Sequence, residues 1–343
     1  MKHSYSDVEK REIAQQLKAH TDESATKDLK KLKLVVENGL DIVKPLSPVG
    51  LTFIENYVHI ELLSTQSKHR ISFYDFWYNR DFYMSRDAST KKLIASIKTN
   101  KPYLSDVKVG KQVFNLYYGG ISIFRPINAA KIYAQFKPTS ILDFTMGWGG
   151  RMIGAVVMNV PKYIGIDLNP NLVEPYNAMV EQLMVVNDAE TEHKSCPTKI
   201  ELYFKNALDM DYSQLDYDMV FTSPPFYDKE TYSDMVSYLS KNEWDEKFYR
   251  PVFEKTWQHL KSGGVYCLNV PQYLYERVCV DAFGGEAHEL VELKKYSRVL
   301  PKNGQSAAAA AEAPTGQAEA QKKMRRSNVG QKYKEYIYVW HKK

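Results

Sequence analysis

Cysteine is scarce. The 343 residues hold three, Cys196, Cys267 and Cys279, with no Cys-x-x-Cys pair and no metal-ligand spacing. That argues against a disulfide scaffold and a thiolate metal centre, and predicts reduced thiols, no metal and an intracellular setting. Long apolar runs are missing as well: none approaches the roughly 18 residues that a membrane helix needs. The amino terminus, MKHSYSDVEKREIAQQ, is polar and charged, so neither a signal peptide nor a membrane anchor is expected and the protein should be soluble. Charge of one sign does not dominate either. Lys and Arg number 46 against 41 Asp and Glu, for a net charge of +5 and a pI near 8.7, which permits a polyanionic partner without demanding one. What the chain has in quantity is tyrosine, at 25 residues, suited to stacking and to wet surfaces. Its length allows one large domain or two moderate ones, each with its own core.

Residues 7–38 alternate Lys, Glu and Asp with Ile13, Leu17, Leu29, Leu32 and Val36 at helical spacing, which predicts one or two amphipathic helices. Residues 50–63, GLTFIENYVHIELL, read as a strand or as a buried helix. The next aromatic stretch, ISFYDFWYNRDFYMSR, with Arg80 and Arg86 beside its rings, fits a helical core and also a nucleic-acid surface. Gly119-Gly120 marks a turn, and Pro126 stands where a helix can begin.

From there the pattern is regular. Short apolar strands at 140–144, 162–167, 200–204, 218–222 and 264–270 alternate with helical stretches, which implies crossover connections and a mostly parallel, doubly wound sheet. Residues 291–300 and 335–341 read as a late antiparallel pair closing the sheet edge. Between them lies a low-complexity stretch, 302–328, expected to be a loop, with a basic exit at Lys322, Lys323, Arg325, Arg326, Lys332 and Lys334 that suits phosphates or plain solvation.

Ligands of open α/β sheets sit beyond the carboxyl ends of the strands. After the first strand come Thr145, Gly147 and Gly149-Gly150, which permit a tight turn and close backbone approach to a ligand. The second strand ends in Asp167, whose oxygens can accept both hydroxyls of a ribose. The third is followed by Asn206 and Ala207, an amide beside a small residue, suited to the edge of a base. The fourth runs into Ser223-Pro224-Pro225-Phe226, a rigid corner with a hydroxyl, carbonyl acceptors and a flat ring. Alone, that corner fits a tight turn with a core phenylalanine. Four consecutive strand ends with nucleoside-suited chemistry favour a planar, amino-bearing substrate.

Over residues 119–270, with the last strand added, the sequence resembles the S-adenosylmethionine-dependent amino-methyltransferases of nucleic acids, which modify adenine N6 or cytosine N4. Phe124-Arg125-Pro126 matches the family's Phe-x-Pro segment, which lines the methionine part of the cofactor. Asp143-Phe144-Thr145-Met146-Gly147-Trp148-Gly149 matches its glycine-rich turn, with Trp148 where a small residue is usual. Asp167 matches the ribose-binding acid, Asn206 the adenine-contacting position where aspartate is common, and Ser223-Pro224-Pro225-Phe226 the base-binding corner. The motif order is γ-like.

The resemblance implies a Rossmann-like methyltransferase sheet, mostly parallel with an antiparallel edge strand, over residues 111–343, preceded by a mainly helical, aromatic extension over 1–110. It implies S-adenosylmethionine bound by Phe124, Pro126, Asp143, Thr145, Gly147, Gly149, Asp167, Asn206 and Ala207, and catalysis at Ser223, Pro224, Pro225 and Phe226 on a flipped-out base. DNA is expected as the polymer ahead of RNA. The serine before Pro-Pro leans toward cytosine N4, with adenine N6 left open, and a silent binding subunit is the alternative outside catalysis. Side chains that could read target sequence lie in 74–86, 229–250 and 302–328.

Overall fold

The computed structural model describes residues 5–42, 44, 46–67, 69–85, 88–188, 198–227, 238–293 and 335–343. The low-complexity stretch 302–328 and its basic exit, Cys196, Arg86, and the 229–237 and 294–300 parts of two sequence-predicted segments lie outside the described residues.

Side chains on a strand alternate between its two faces, and here the alternation sorts apolar residues into two cores. Seven strands take part: Ser140–Asp143 (β1), Lys162–Asp167 (β2), Lys199–Phe204 (β3), Met219–Thr222 (β4), Val265–Asn269 (β5), Glu289–Leu293 (β6) and Glu335–His341 (β7). Ile141, Tyr163, Met219, Phe221, Cys267, Ile337 and Val339 face one core, and Leu142, Ile164, Ile166, Val220, Tyr266, Leu268, Tyr338 and Trp340 face the other. The strand order is β3-β2-β1-β4-β5-β7-β6. β1 to β5 run parallel, and β7 lies antiparallel between β5 and β6. The sheet is thus Rossmann-like and mostly parallel, with the expected antiparallel pairing at one side. β7 sits one strand in from the edge, and β6 is outermost.

The order reverses between β1 and β4. β2 and β3 extend one way from that point and β5 the other, which makes the carboxyl ends of β1 and β4 the switch point where open sheets take their ligands. The glycine turn and the Ser-Pro-Pro corner leave the sheet there.

The amino-terminal helices follow local signals. Asp7–Leu17 and Asp22–Glu37 each begin with a reciprocal capping box, at Ser6 with Glu9 and at Thr21 with Ser24. Residues 50–63 form the helix Leu51–Ser64, led by Gly50 in the left-handed region at φ 89°. Leu29, Leu32, Phe53, Ile54 and Val58 from these helices share a core with Ile127, Tyr133 and Ile153 against the sheet. The aromatic stretch is core rather than an open nucleic-acid face. Phe73, Tyr74 and Phe76 are fully buried with Leu63, Val107, Val113 and Phe114, while Phe82 stands out at 63 % exposure.

Candidate active site

β1 ends in Asp143, which is fully buried. The helix Gly150–Val157 brings Arg151 back over it. Arg151 donates from Nε to Asp143 Oδ2 at 2.7 Å and from an Nη to Oδ1 at 3.1 Å, and the same Nη donates to the Thr145 carbonyl. Tyr163 and Thr222 donate to the two carboxylate oxygens at 2.7 and 2.8 Å. Burial works against the guanidinium charge, yet Asp143 outweighs it and holds Arg151 above its ordinary pKa. Asp143, expected to bind cofactor, therefore has both oxygens engaged by the protein's own donors. It shapes the turn from beneath.

That turn carries Gly147 at φ 58° and Gly149 at φ 94°. Gly147 donates its backbone N–H to Asp167 Oδ2 at 2.8 Å, and Asn169 donates its own to Oδ1 at 3.0 Å. Tyr176, from the helix Val173–Asp188, donates to the Gly147 carbonyl at 3.0 Å. Asp167 is half-buried at the end of β2. Burial pushes its pKa up to about 6, against the two backbone donors, which lower it. Unlike Asp143 it has no cation bonded to it among the described residues, so its carboxylate suits further hydroxyl donors.

Phe124 borders the end of the same turn, while Pro126 lies against Gly50 with its ring and against Gly154 with its carbonyl. The Phe124 carbonyl comes so close to Gly150 that an added Cβ would stand 1.8 Å from its oxygen. The Phe124 ring lies edge-on to Phe221 at 5.6 Å and under the Arg151 guanidinium at 5.5 Å. Pro126 opens the helix Pro126–Phe136, where its missing N–H costs nothing. On the far side, Asn206 Oδ1 caps its own turn by accepting from the Leu208 N–H at 3.0 Å, and Ala207 beside it is buried. β3 pairs with β2 so that Phe204 lies opposite Asp167, which puts Asn206 two residues beyond the acid.

A hydrogen bond of 2.6 Å between Thr145 and Thr222 joins the glycine turn to the end of β4, next to Ser223. The Ser223 hydroxyl donates toward Asn269, whose carbonyl and side-chain Oδ1 lie at 3.2 and 3.1 Å. Asn269 ends β5, is 2 % exposed and donates from Nδ2 to the Tyr336 carbonyl at 3.1 Å, so its amide oxygen must face the serine. With its proton turned to Asn269, the Ser223 oxygen can only accept from a ligand. Pro224 is buried, and Pro225 and Phe226 are half-buried.

The corner is braced by residues the sequence did not single out. Tyr249 accepts from the Tyr227 N–H at 2.9 Å and donates to the Pro225 carbonyl, so that carbonyl already has a partner. Tyr227, at φ 56°, donates to Asp245 at 2.7 Å, and Asp245 in turn holds Arg277 at 2.6 and 2.8 Å. Asp245 and Tyr249 come from one π-helical turn, a local irregularity common at functional sites. Asn269, the partner of Ser223, ends the observed β5 one residue short of the 264–270 run read from sequence, at a strand end that the comparison of the first four did not reach.

No family model matches the chain, and no curated protein matches it in sequence. In structure it is similar to TehB from Haemophilus influenzae, at 14 % identity over 68 % of this chain and 66 % of that one, with a TM-score of 0.35. It is similar also to TrmN from Thermus thermophilus, at 12 % identity over 64 % and 49 %, with a TM-score of 0.37. A third likeness is to the N-methyltransferase NodS from Bradyrhizobium japonicum, at 10 % identity over 63 % and 92 %, with a TM-score of 0.35. The chain spans about two thirds of the length of TehB and about half that of TrmN. These likenesses are too distant to bear on substrate or reaction.

Proposed function

We propose that this protein transfers a methyl group from S-adenosylmethionine to the exocyclic amino group of a base in nucleic acid, with DNA as the polymer and cytosine N4 ahead of adenine N6. The observation that carries the reading is the convergence of four neighbouring strand ends at the switch of the sheet: the glycine turn, Asp167 and the Ser-Pro-Pro-Phe corner, linked by the Gly147–Asp167 and Thr145–Thr222 hydrogen bonds, with Asn206 on the next strand beside Asp167.

The residues present fit such a cofactor. Asp167 offers carboxylate oxygens to ribose hydroxyls, Asn206 and Ala207 flank the position suited to adenine, and Gly147, Gly149, Thr145 and Phe124, with Pro126 next along the Phe-x-Pro segment, border the turn that would take the methionine part, with nothing closer than 3.9 Å to a Cβ placed on Gly147. When bound, the cofactor supplies an electrophilic methyl group. The chain's task is to present a nitrogen whose lone pair is delocalised into a ring. Ser223, kept an acceptor by Asn269, takes one amino hydrogen and so draws electron density onto the nitrogen; as the methyl group would move from sulfur to nitrogen, the surplus amino proton would pass to solvent. Phe226 stacks on the base, which must leave the duplex to reach this depth. Most of the acceleration then comes from orientation.

Incubating the protein with labelled cofactor and separate DNA and RNA pools tests the reading: label is expected in DNA, label in RNA alone would replace the polymer, and label in neither would remove the reaction. Ser223→Ala is expected to lower turnover by about a hundredfold with cofactor affinity intact by calorimetry; full turnover would count against the base pocket. Asp167 gives a pH test. Its raised pKa means that the folded state binds its proton more tightly than the unfolded chain, so this group favours folding below the usual aspartate range and loses that contribution as pH rises through about 6. Ribose hydroxyls prefer the ionised form. Affinity for the cofactor is therefore expected to be about tenfold weaker at pH 5 than at pH 7, and a flat profile, or an equal slope in Asp167→Asn, would detach Asp167 from the ribose.

A further inference from the structure

Glu61 sits where local rules disfavour it. It lies in the last turn of the helix Leu51–Ser64, where the helix dipole opposes a negative charge, and it is only 7 % exposed. Docking of the helix does not need it, because Phe53, Ile54 and Val58 already bury that helix in the core beside the sheet. Its carboxylate reaches across 108 residues of sequence to accept a hydrogen bond from Asn169 Nδ2 at 2.7 Å. Asn169 is 1 % exposed and fully engaged: Nδ2 to Glu61, Oδ1 from the Asn171 N–H at 3.1 Å, and its own N–H to Asp167 Oδ1 at 3.0 Å.

We propose that Glu61 is a positioning residue for the cofactor site: by fixing the Asn169 amide it holds the loop after β2 so that Asp167 keeps its oxygens turned to the ribose. This inference rests on the cofactor reading above. It gives the amino-terminal helices a part in the site that neither the glycine turn nor the Ser-Pro-Pro corner requires. The role asks for an acceptor oxygen and not for charge, since Gln Oε1 can receive the same N–H. A conflict with local helix preference that is resolved only at the site is the pattern expected of a functional residue.

Three variants test it: Glu61→Ala, Glu61→Gln and Asn56→Ala, the last removing a side chain on the same helix that bonds Asp22 and not the loop. Hydrogen exchange over residues 166–172 is read without ligand, and S-adenosylhomocysteine affinity by calorimetry. Glu61→Ala is expected to lose protection in that segment and to bind about tenfold more weakly, Glu61→Gln to match the wild type in both, and Asn56→Ala to leave both unchanged whatever it does to the melting temperature. Unchanged exchange in Glu61→Ala, equal loosening in Asn56→Ala, or failure of Gln to substitute would each overturn the proposal. Should the wild type bind no S-adenosylhomocysteine, the cofactor reading falls, while exchange over 166–172 still decides whether Glu61 holds the loop.

Discussion

Asp143→Ala is expected to destabilise the fold by about 3–5 kcal/mol, because it strands a buried guanidinium. Arg151 is 4 % exposed, and among the described residues Asp143 is its ion-pair partner. Tyr163 would lose its acceptor in the same step, at the cost of a buried donor left unmade, and Thr222 would keep only Thr145. Against a total of roughly 5–15 kcal/mol for a typical domain, the loss is about a fifth of the stability or more. Urea unfolding measures it, and a loss below about 1 kcal/mol would mean that solvent reaches the pair. The cycle with Arg151→Met separates pairing from packing: the double variant should recover much of the loss, since it is the uncompensated charge rather than the missing contact that costs most.

The contrast between Asp143 and Asp167 marks how far sequence reading goes. Both close a buried parallel strand, and both look like cofactor ligands from composition and place. What separates them is a partner. The helix after β1 returns Arg151 eight residues later onto Asp143, whereas among the described residues Asp167 is met by backbone N–H groups. Strand ends are legible because a short apolar run and the residue that stops it are local. Pairings are not: Ser223 with Asn269, Tyr227 with Tyr249 and Glu61 with Asn169 span 46, 22 and 108 residues. The stretch 50–63 was ambiguous for a related reason. Its apolar residues surround the helix instead of forming one stripe, since Phe53 and Ile54 meet the sheet-side core while Leu63 joins the aromatic one, so periodicity is blurred by two cores. The rings of 73–77 are core because Val107, Val113 and Phe114, some thirty residues on, cover them, a pairing that no local pattern carries.

Gly150→Ala is expected to be the most disruptive single-methyl change in the glycine turn. The constraint is room rather than backbone conformation. A Cβ would stand 1.8 Å from the Phe124 carbonyl oxygen and 2.9 Å from its carbonyl carbon. Both are backbone atoms, so no side-chain rotation relieves the overlap, and either the start of the helix Gly150–Val157 or the Phe124–Pro126 segment must move. Neither moves alone. Phe124 packs on Phe221 and Arg151, Pro126 opens the next helix, and a Cβ on Gly154, one turn on, would meet the Pro126 carbonyl at 2.9 Å. Overpacking a close-packed site costs roughly 1–3 kcal/mol, and with backbone on both sides the upper end, about 3 kcal/mol, is the expected loss. Cofactor affinity should fall with it, by more than about tenfold, because the segment displaced is the one that borders the turn. Gly147→Ala provides the comparison. Its Cβ would find nothing nearer than 3.9 Å, so only the left-handed backbone at φ 58° resists it, at about 1–2 kcal/mol. Urea midpoints and calorimetry on the two variants order them directly. If Gly150→Ala proves as stable as Gly147→Ala and binds S-adenosylmethionine equally well, Phe124 does not lie against the helix start, and the Phe-x-Pro segment has no part in the turn.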